Sequence, residues 1–307
     1  MISKEEICAY ANAINIDLIG FTDTRPLKLN YMVFKAWIES GYAGKLSWLY
    51  NNPLKRFDPR LVFPDGETII SIGISYFKED NLESLLISRY ARAKDYHRVL
   101  KDKLKMLYKF MKKEDPGLKA RIFVDSAPIA EKAIAQKAGL GWQGRNSLLV
   151  NERLGSWIFL GELIINKKYP IDTPCYDRCG DCMACIEACP TGAIRQDRTI
   201  DARLCISYLT IEYKGEFKKE DQIRQHGMLF GCDICQEVCP WNRRPIPTRE
   251  PDFMNTNELS KYPIEKLALI REEEFRSATH DTALKRITYK QFKRNLAGIE
   301  IPQKPIH

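Results

Sequence analysis

Along roughly the first 170 residues, apolar positions recur at two periods, three to four residues in some stretches and two in others, with turn residues between them. Ser3 and Glu6 stand at the two ends of a capping box ahead of Ile7, Ala11 and Ile14, which predicts an N-terminal helix, and residues 16–21 then read as a strand. Residues 32–40 predict a helix ended by Gly41, and the isoleucine-rich stretch 68–76 predicts a strand. Leu100, Leu104, Leu107 and Met111 fall on one helical face, with Arg98, Lys101, Lys105, Lys109 and Lys112 on the opposite face. Residues 121–124 predict a short strand and 128–138 a helix stopped by Gly139. Residues 147–150 and 157–165 are the last two strands, close enough in sequence to pair with each other. Helices and strands in this order predict an α/β layered unit with a mixed sheet.

The pattern breaks at 167–174, where turn residues take over, and nine of the ten cysteines lie between Cys175 and Cys239. After Pro240 the run Arg243-Arg244-Pro245-Ile246-Pro247 reads as an extended connector. Beyond it the helical patterns are weak, with basic clusters at Lys285-Arg286 and from Lys290 to Arg294. The expected organisation is α+β: a mixed-sheet unit over 1–170, a ferredoxin-like cysteine unit over 171–245 and a short helical extension over 246–307. At 307 residues, 44% hydrophobic and 29% charged, the chain is long enough to bury a core without staples, so disorder and a small disulfide scaffold are disfavoured. No apolar run approaches the ~18 residues of a membrane span, and the first residues show no signal core. A cytoplasmic protein with no membrane association is expected.

The cysteine spacing carries the strongest chemistry. Cys179-x2-Cys182-x2-Cys185-x3-Cys189-Pro190 is the bacterial ferredoxin run, in which three thiolates bind one [4Fe–4S] cluster and the fourth reaches another. Cys232-x2-Cys235-x3-Cys239-Pro240 repeats the spacing without its first cysteine, since Leu229 stands there. Exchange of the fourth ligand assigns Cys179, Cys182, Cys185 and Cys239 to one cluster and leaves Cys189, Cys232 and Cys235 for the other. Cys205, between the two runs, is the natural eighth ligand and Cys175 its rival. Cys8 reads as a small buried hydrophobe. Zinc seldom uses such a run, and a reducing compartment disfavours disulfides.

Two clusters make an electron conduit, so an acceptor is expected on the larger unit. Gly139-x-Gly141-x-x-Gly144 follows a helix and precedes a strand, the reverse of a dinucleotide fingerprint. Asp95-x-His97 matches part of a cobalamin-ligand motif, but Leu100 stands where that motif has glycine, and His97 reads as an ordinary half-buried histidine. Asp125 ends an apolar strand and precedes a helix. At the carboxyl edge of the sheet it is placed either to cap that helix or, partly desolvated with a raised pKa, to donate a proton. Net charge is +8, and residues 89–113 alone hold ten Lys or Arg against two Asp. That segment is either a solvated helix face or a surface for a polyanion.

Several blocks together resemble one family: Val124-Asp125-Ser126-Ala127-Pro128-x-x-Glu131-Lys132-Ala133, Gly139-Leu140-Gly141-Trp142-x-Gly144-x-Asn146-Ser147, Gly155-Ser156-Trp157, Cys205-Ile206-Ser207-Tyr208-Leu209-Thr210-Ile211-Glu212 and Gly231-Cys232-Asp233-x-Cys235-Gln236. The chain is similar over about residues 5–245 to the epoxyqueuosine reductases, which complete queuosine in tRNA. The resemblance implies a cobalamin in the N-terminal unit, two [4Fe–4S] clusters feeding it from an external electron donor, and a tRNA whose wobble base carries an epoxide. It implies Asp125 as general acid, and a cobalamin pocket lined by Arg56, Asp125, Leu149, Leu160, Ser207, Cys232 and Asp233. A monomer is expected, with Lys214, Lys218, Lys219 and Arg224 placed to meet tRNA phosphates. Many members of the family carry a helical-repeat domain after the cluster unit, and the residues beyond 245 are too few for one. Reductive dehalogenases pair the same cofactors but look exported, and a ferredoxin-like carrier is the alternative from another class.

Overall fold

The computed structural model describes residues 2–79 and 86–299. In chain order the N-terminal half comprises α1 (Lys4–Ala13), β1 (Leu18–Asp23), α2 (Lys28–Glu39), α3 (Pro53–Phe57), β2 (Thr68–Ser75), α4 (Tyr96–Glu114), β3 (Ala120–Phe123), α5 (Glu131–Lys137), β4 (Trp142–Gln143), β5 (Leu149–Val150) and β6 (Ile158–Ile165). The capping box forms as its residues predict: Ser3 Oγ accepts from Glu6 N at 3.1 Å, and Glu6 Oε2 accepts from Ser3 N at 2.8 Å.

The main sheet has the order β1-β2-β6-β3, and every neighbouring pair is antiparallel. The expected mixed sheet is therefore a correction, and its cause is topological. Strands β2 and β3 run the same way, joined through α4 as a crossover, but β6 inserts between them and opposes both, a split βαβ arrangement. The same insertion overturns the expected pairing of 147–150 with 157–165. Both edges of β6 are taken, so the two-residue β5 pairs with β4 in a separate ladder.

Strand β2 is buried along its whole length because helices cover both faces of the sheet. Ile70, Ile72, Ile74, Leu163 and Ile165 pack with Ile7 and Ala11 of α1 and with Leu100, Leu104, Leu107 and Met111 of α4. On the other face Ile69 and Ile164 pack with Ile134 of α5 and with Phe123 and Ile129. Cys8 packs half-buried against the first of these clusters.

The basic segment 89–113 is largely spent on holding the chain together. Arg89 pairs with Glu237 at 2.8 Å, Lys94 with Asp252 at 2.9 Å, and Lys103 with Glu250 at 2.5 Å, where both side chains are largely buried. Arg92, among the largest fully buried side chains, donates Nε–H to Ile87 O at 2.7 Å. Lys105, Lys109 and Lys113 remain on the exposed face.

Beyond 245 the chain folds into short helices, from Pro251–Met254 to Tyr289–Ala297. Their apolar residues, including Leu259, Leu267, Phe275, Leu284 and Phe292, share one cluster with Ile87, Ile211, Leu229 and Phe230. Asn295, wholly buried, donates from Nδ2 to Thr210 O at 2.7 Å and to Leu229 O at 2.9 Å. This region is thus packed onto the cysteine unit. Among the described residues, no helix is long and apolar enough to cross a membrane.

Candidate active site

The split βαβ unit brings the start of α4 and the end of β3 to one edge of the sheet. Asp95 is the N-cap of α4, Tyr96 and His97 are its first two residues, and Asp125 lies two residues beyond β3 with a left-handed backbone, φ 53°. Tyr96 donates its hydroxyl to Asp125 Oδ2 at 2.9 Å, and His97 Nε2 meets the same oxygen at 3.0 Å. His97 Nδ1 lies 2.7 Å from Asp95 Oδ1, and Lys285, from the C-terminal region, reaches Asp95 Oδ2 at 2.5 Å. The result is a file of alternating charge: Asp125, His97, Asp95, Lys285.

Burial opposes a charge on His97, but hydrogen bonds and attraction from the two carboxylates outweigh it and push its pKa up to about 9. The His97 hydrogen bond in turn holds Asp125 below the usual carboxylate range, against the desolvation that would raise it. The expected raised pKa of Asp125 is thus corrected: at neutral pH the proton resides on His97 and Asp125 is a carboxylate. His97, read from sequence as an ordinary half-buried residue, is the centre of the site.

These groups face a cavity of about 960 Å³ lined also by Trp48, Asn51, Asn52, Arg56, Lys132, Ser207, Tyr208, Ile211, Glu212 and Arg286. Ser207 and Tyr208 belong to a turn that continues as a π-helical segment, Tyr208–Glu212, a rare conformation common at functional sites. Arg286 is bonded to Glu212 at 2.9 Å and 3.0 Å, so the C-terminal region closes one wall. Of the seven residues expected around the cofactor, Arg56, Asp125 and Ser207 line this cavity. Leu149 and Leu160 pack in a small apolar cluster with Ala135, Ala138 and Leu140. Cys232 faces a different cavity, and Asp233 is buried, accepting from Ser88 Oγ and from Arg89 N at 2.7 Å.

The cysteines fall into two groups. Cys179, Cys182, Cys185 and Cys239 line a cavity of about 250 Å³, and Cys189, Cys205, Cys232 and Cys235 line one of about 60 Å³. Four thiols around each is the donor chemistry of an iron–sulfur cluster. Cys175 is engaged elsewhere, its Sγ donating to Gly139 O at 3.2 Å. Ser207 lines both the second cysteine cavity and the large one, so the two adjoin.

Lys214, Lys218 and Lys219 are exposed, and Lys214 borders a shallow cavity with Lys290 and Arg294. Arg224 is half-buried and tied to Asp221.

Residues 56–126 match the family described as "Epoxyqueuosine reductase QueG, DUF1730", and residues 178–242 match "4Fe-4S double cluster binding domain". An epoxyqueuosine reductase of Cyclobacterium marinum is 40% identical over 291 residues, 93% of each chain. The chain belongs to the epoxyqueuosine reductase family. An epoxyqueuosine reductase solved with a tRNA-Tyr epoxyqueuosine-modified tRNA stem loop superposes with a TM-score of 0.89 at 30% identity, covering 96% of this chain and 80% of that one. The Bacillus subtilis epoxyqueuosine reductase, with its catalytic aspartate loop swung out of the active site, superposes with a TM-score of 0.85 at 30% identity over the same shares.

Two measurements check the site of this epoxyqueuosine reductase family member. Histidine-ring NMR, with four histidines to resolve, is expected to show His97 titrating near 9. In Asp125→Asn one stabilising carboxylate is gone while burial remains, so this pKa falls and His97 loses its proton at a lower pH. After anaerobic reconstitution, Cys205→Ala is expected to lose about four of eight irons while Cys175→Ala keeps its full content.

Proposed function

We propose that the chain reduces epoxyqueuosine to queuosine in tRNA, with Asp125 and His97 acting together as the proton source. The observation that carries this reading is the adjacency of the parts: Asp125 with its His97 partner opens into a large cavity, and Ser207 forms a wall between that cavity and a four-cysteine cavity. An electron carrier would have no use for such a cavity.

Conversion of an epoxide to an alkene and water takes two electrons and two protons. Two [4Fe–4S] clusters, one on Cys179, Cys182, Cys185 and Cys239 and one on Cys189, Cys205, Cys232 and Cys235, suit one-electron delivery from an external donor. The large cavity fits a bulky cofactor with polar edges. Arg56 lies in its wall with Nε buried and without a partner among the described residues, its guanidinium 5.3 Å over the Trp48 ring, and Asn51, Asn52 and Ser207 add further polar groups. Arg56, Trp48 and Ser207 would hold cobalamin there, and the cofactor, when bound, supplies a cobalt centre able to act on the epoxide-bearing ring.

The chain's own residues manage the proton. As negative charge develops on the epoxide oxygen, the His97 proton passes across the 3.0 Å contact to the Asp125 carboxylate, and from Asp125 to that oxygen, leaving His97 neutral and Asp125 a carboxylate again. Asp95 and Lys285 keep the imidazole oriented and its charge balanced. In the Bacillus subtilis relative the catalytic aspartate loop is swung out of the active site, a position that suits a carboxylate that must approach a bound substrate and then withdraw.

Asp125→Asn keeps size and hydrogen-bonding capacity but cannot deliver a proton. Cluster and cobalamin content should be unchanged, while conversion of epoxyqueuosine to queuosine, read by nucleoside analysis, falls by roughly 10²- to 10⁴-fold. For a modified stem loop of the kind a relative was solved with, we assign the exposed Lys214, Lys218 and Lys219 as phosphate contacts. Replacing Lys214, Lys218 and Lys219 by Gln is expected to weaken tRNA binding and to lower the slope of log affinity against log salt by ~0.7–0.9 per lost phosphate contact, read by titration at several salt concentrations.

A further inference from the structure

Directly behind the Asp125 loop lies a pair of carboxyl groups that the reaction as described does not use. Glu162 sits in the middle of β6 with no exposure, opposite Ser71 of β2 and Phe123 of β3, on the sheet face covered by α5. Its Oε1 accepts from Ser71 Oγ at 3.3 Å, and its Oε2 is buried with no donor among the described residues. The group that faces it is the carboxyl of Glu131, the first residue of α5. Lys132, the neighbouring cation, turns away and donates to Ser147 O at 2.7 Å. Glu131 Oε1 accepts the backbone N–H of Asp125 at 2.5 Å.

Two facing carboxyl groups in a dry sheet, with no cation between them, cannot both be charged. An aspartate at φ 53° also needs outside contacts to hold its backbone in the left-handed region. We propose that Glu162 and Glu131 share one proton and act as positioning residues: Glu162 donates to Glu131, and Glu131 accepts the Asp125 N–H and so fixes the loop that aims Asp125 into the cavity. This rests on the proton-donor reading of Asp125.

Burial raises both groups, Glu162 well above the ordinary range and Glu131 to about 7. The charged and polar groups around the pair are Ser71 on β2, Asp125 on the loop, Lys132 on α5 and Arg56 on α3, with His97 of α4 behind Asp125. The sign follows from the raised values. The pair favours the seated loop while it holds its proton, and as pH rises through the folded-state value the two carboxylates repel. Glu131, the less deeply buried member, then moves toward water and releases the Asp125 N–H.

The test compares Glu162→Gln, which keeps a donor toward Glu131 but has no proton to lose, with Glu162→Leu, which has no donor. Infrared difference spectra on pH change are recorded on the reconstituted full chain without substrate. Wild type should show a protonated-carboxyl band that both variants lack; a band that persists in Glu162→Gln overturns the shared proton. In turnover with the modified stem loop, Glu162→Leu should lose about 10- to 100-fold in kcat with KM and cofactor content unchanged. Glu162→Gln should recover most of that loss and retain activity further into alkaline pH. Unchanged kcat in Glu162→Leu, or no recovery in Glu162→Gln, overturns the positioning role. A wild-type chain that shows the infrared band but converts no epoxyqueuosine would sink the functional reading and leave the carboxyl pair standing.

Discussion

Strand β6 runs between two strands that point the same way, and the geometry of the site follows from that placement. Because β2 and β3 are parallel but not adjacent, the helix joining them starts where β3 finishes, which sets the first turn of α4 beside Asp125. The inserted strand also carries Glu162 into the sheet interior behind the same loop. A neighbouring parallel pair would leave no strand at that point to carry it.

Electrostatics then divides the labour among side chains whose chemistry in water would be different. Asp125 is a carboxylate although it lies in a cleft, because an imidazolium is hydrogen-bonded to it, and His97 stays charged although it is partly buried, because it has a carboxylate on each side. Lys285 pairs with the outer carboxylate and keeps the file from carrying excess negative charge. The sheet behind it shows the opposite logic, where burial pushes two facing carboxyl groups, with no cation between them, toward neutrality. Acid and base characters are thereby set a few residues apart by surroundings alone.

Much of this was legible in the amino-acid sequence where the signal is local. The cysteine spacings and the Ser3–Glu6 cap are short-range patterns, and the helix of Leu100, Leu104, Leu107 and Met111 shows its buried face by period alone. What escaped depends on distant partners. The antiparallel sheet requires knowing that residues 158–165 insert between earlier strands. The role of His97 requires Asp125, and the pairing of the basic segment requires Glu237, Glu250 and Asp252. The residues after 245 gave weak patterns because their helices are four to nine residues long, too short for periodicity to accumulate. Yet Lys285-Arg286, visible there only as a basic cluster, supplies both the last charge of the file and a wall of the cavity.

The thiols around the first cysteine cavity come from Cys179 and from Cys239, and the large cavity is walled by Trp48 and by Arg286. Each chamber is therefore closed by residues that follow the sheet unit in the chain. During synthesis, which delivers the chain from its N-terminus, the sheet unit can form while neither chamber yet has all its walls. The cysteine chamber has all its thiols once Cys239 has been made, whereas the large chamber gains its last wall only with Arg286, so the cofactor cavity closes after the thiols that adjoin it are in place.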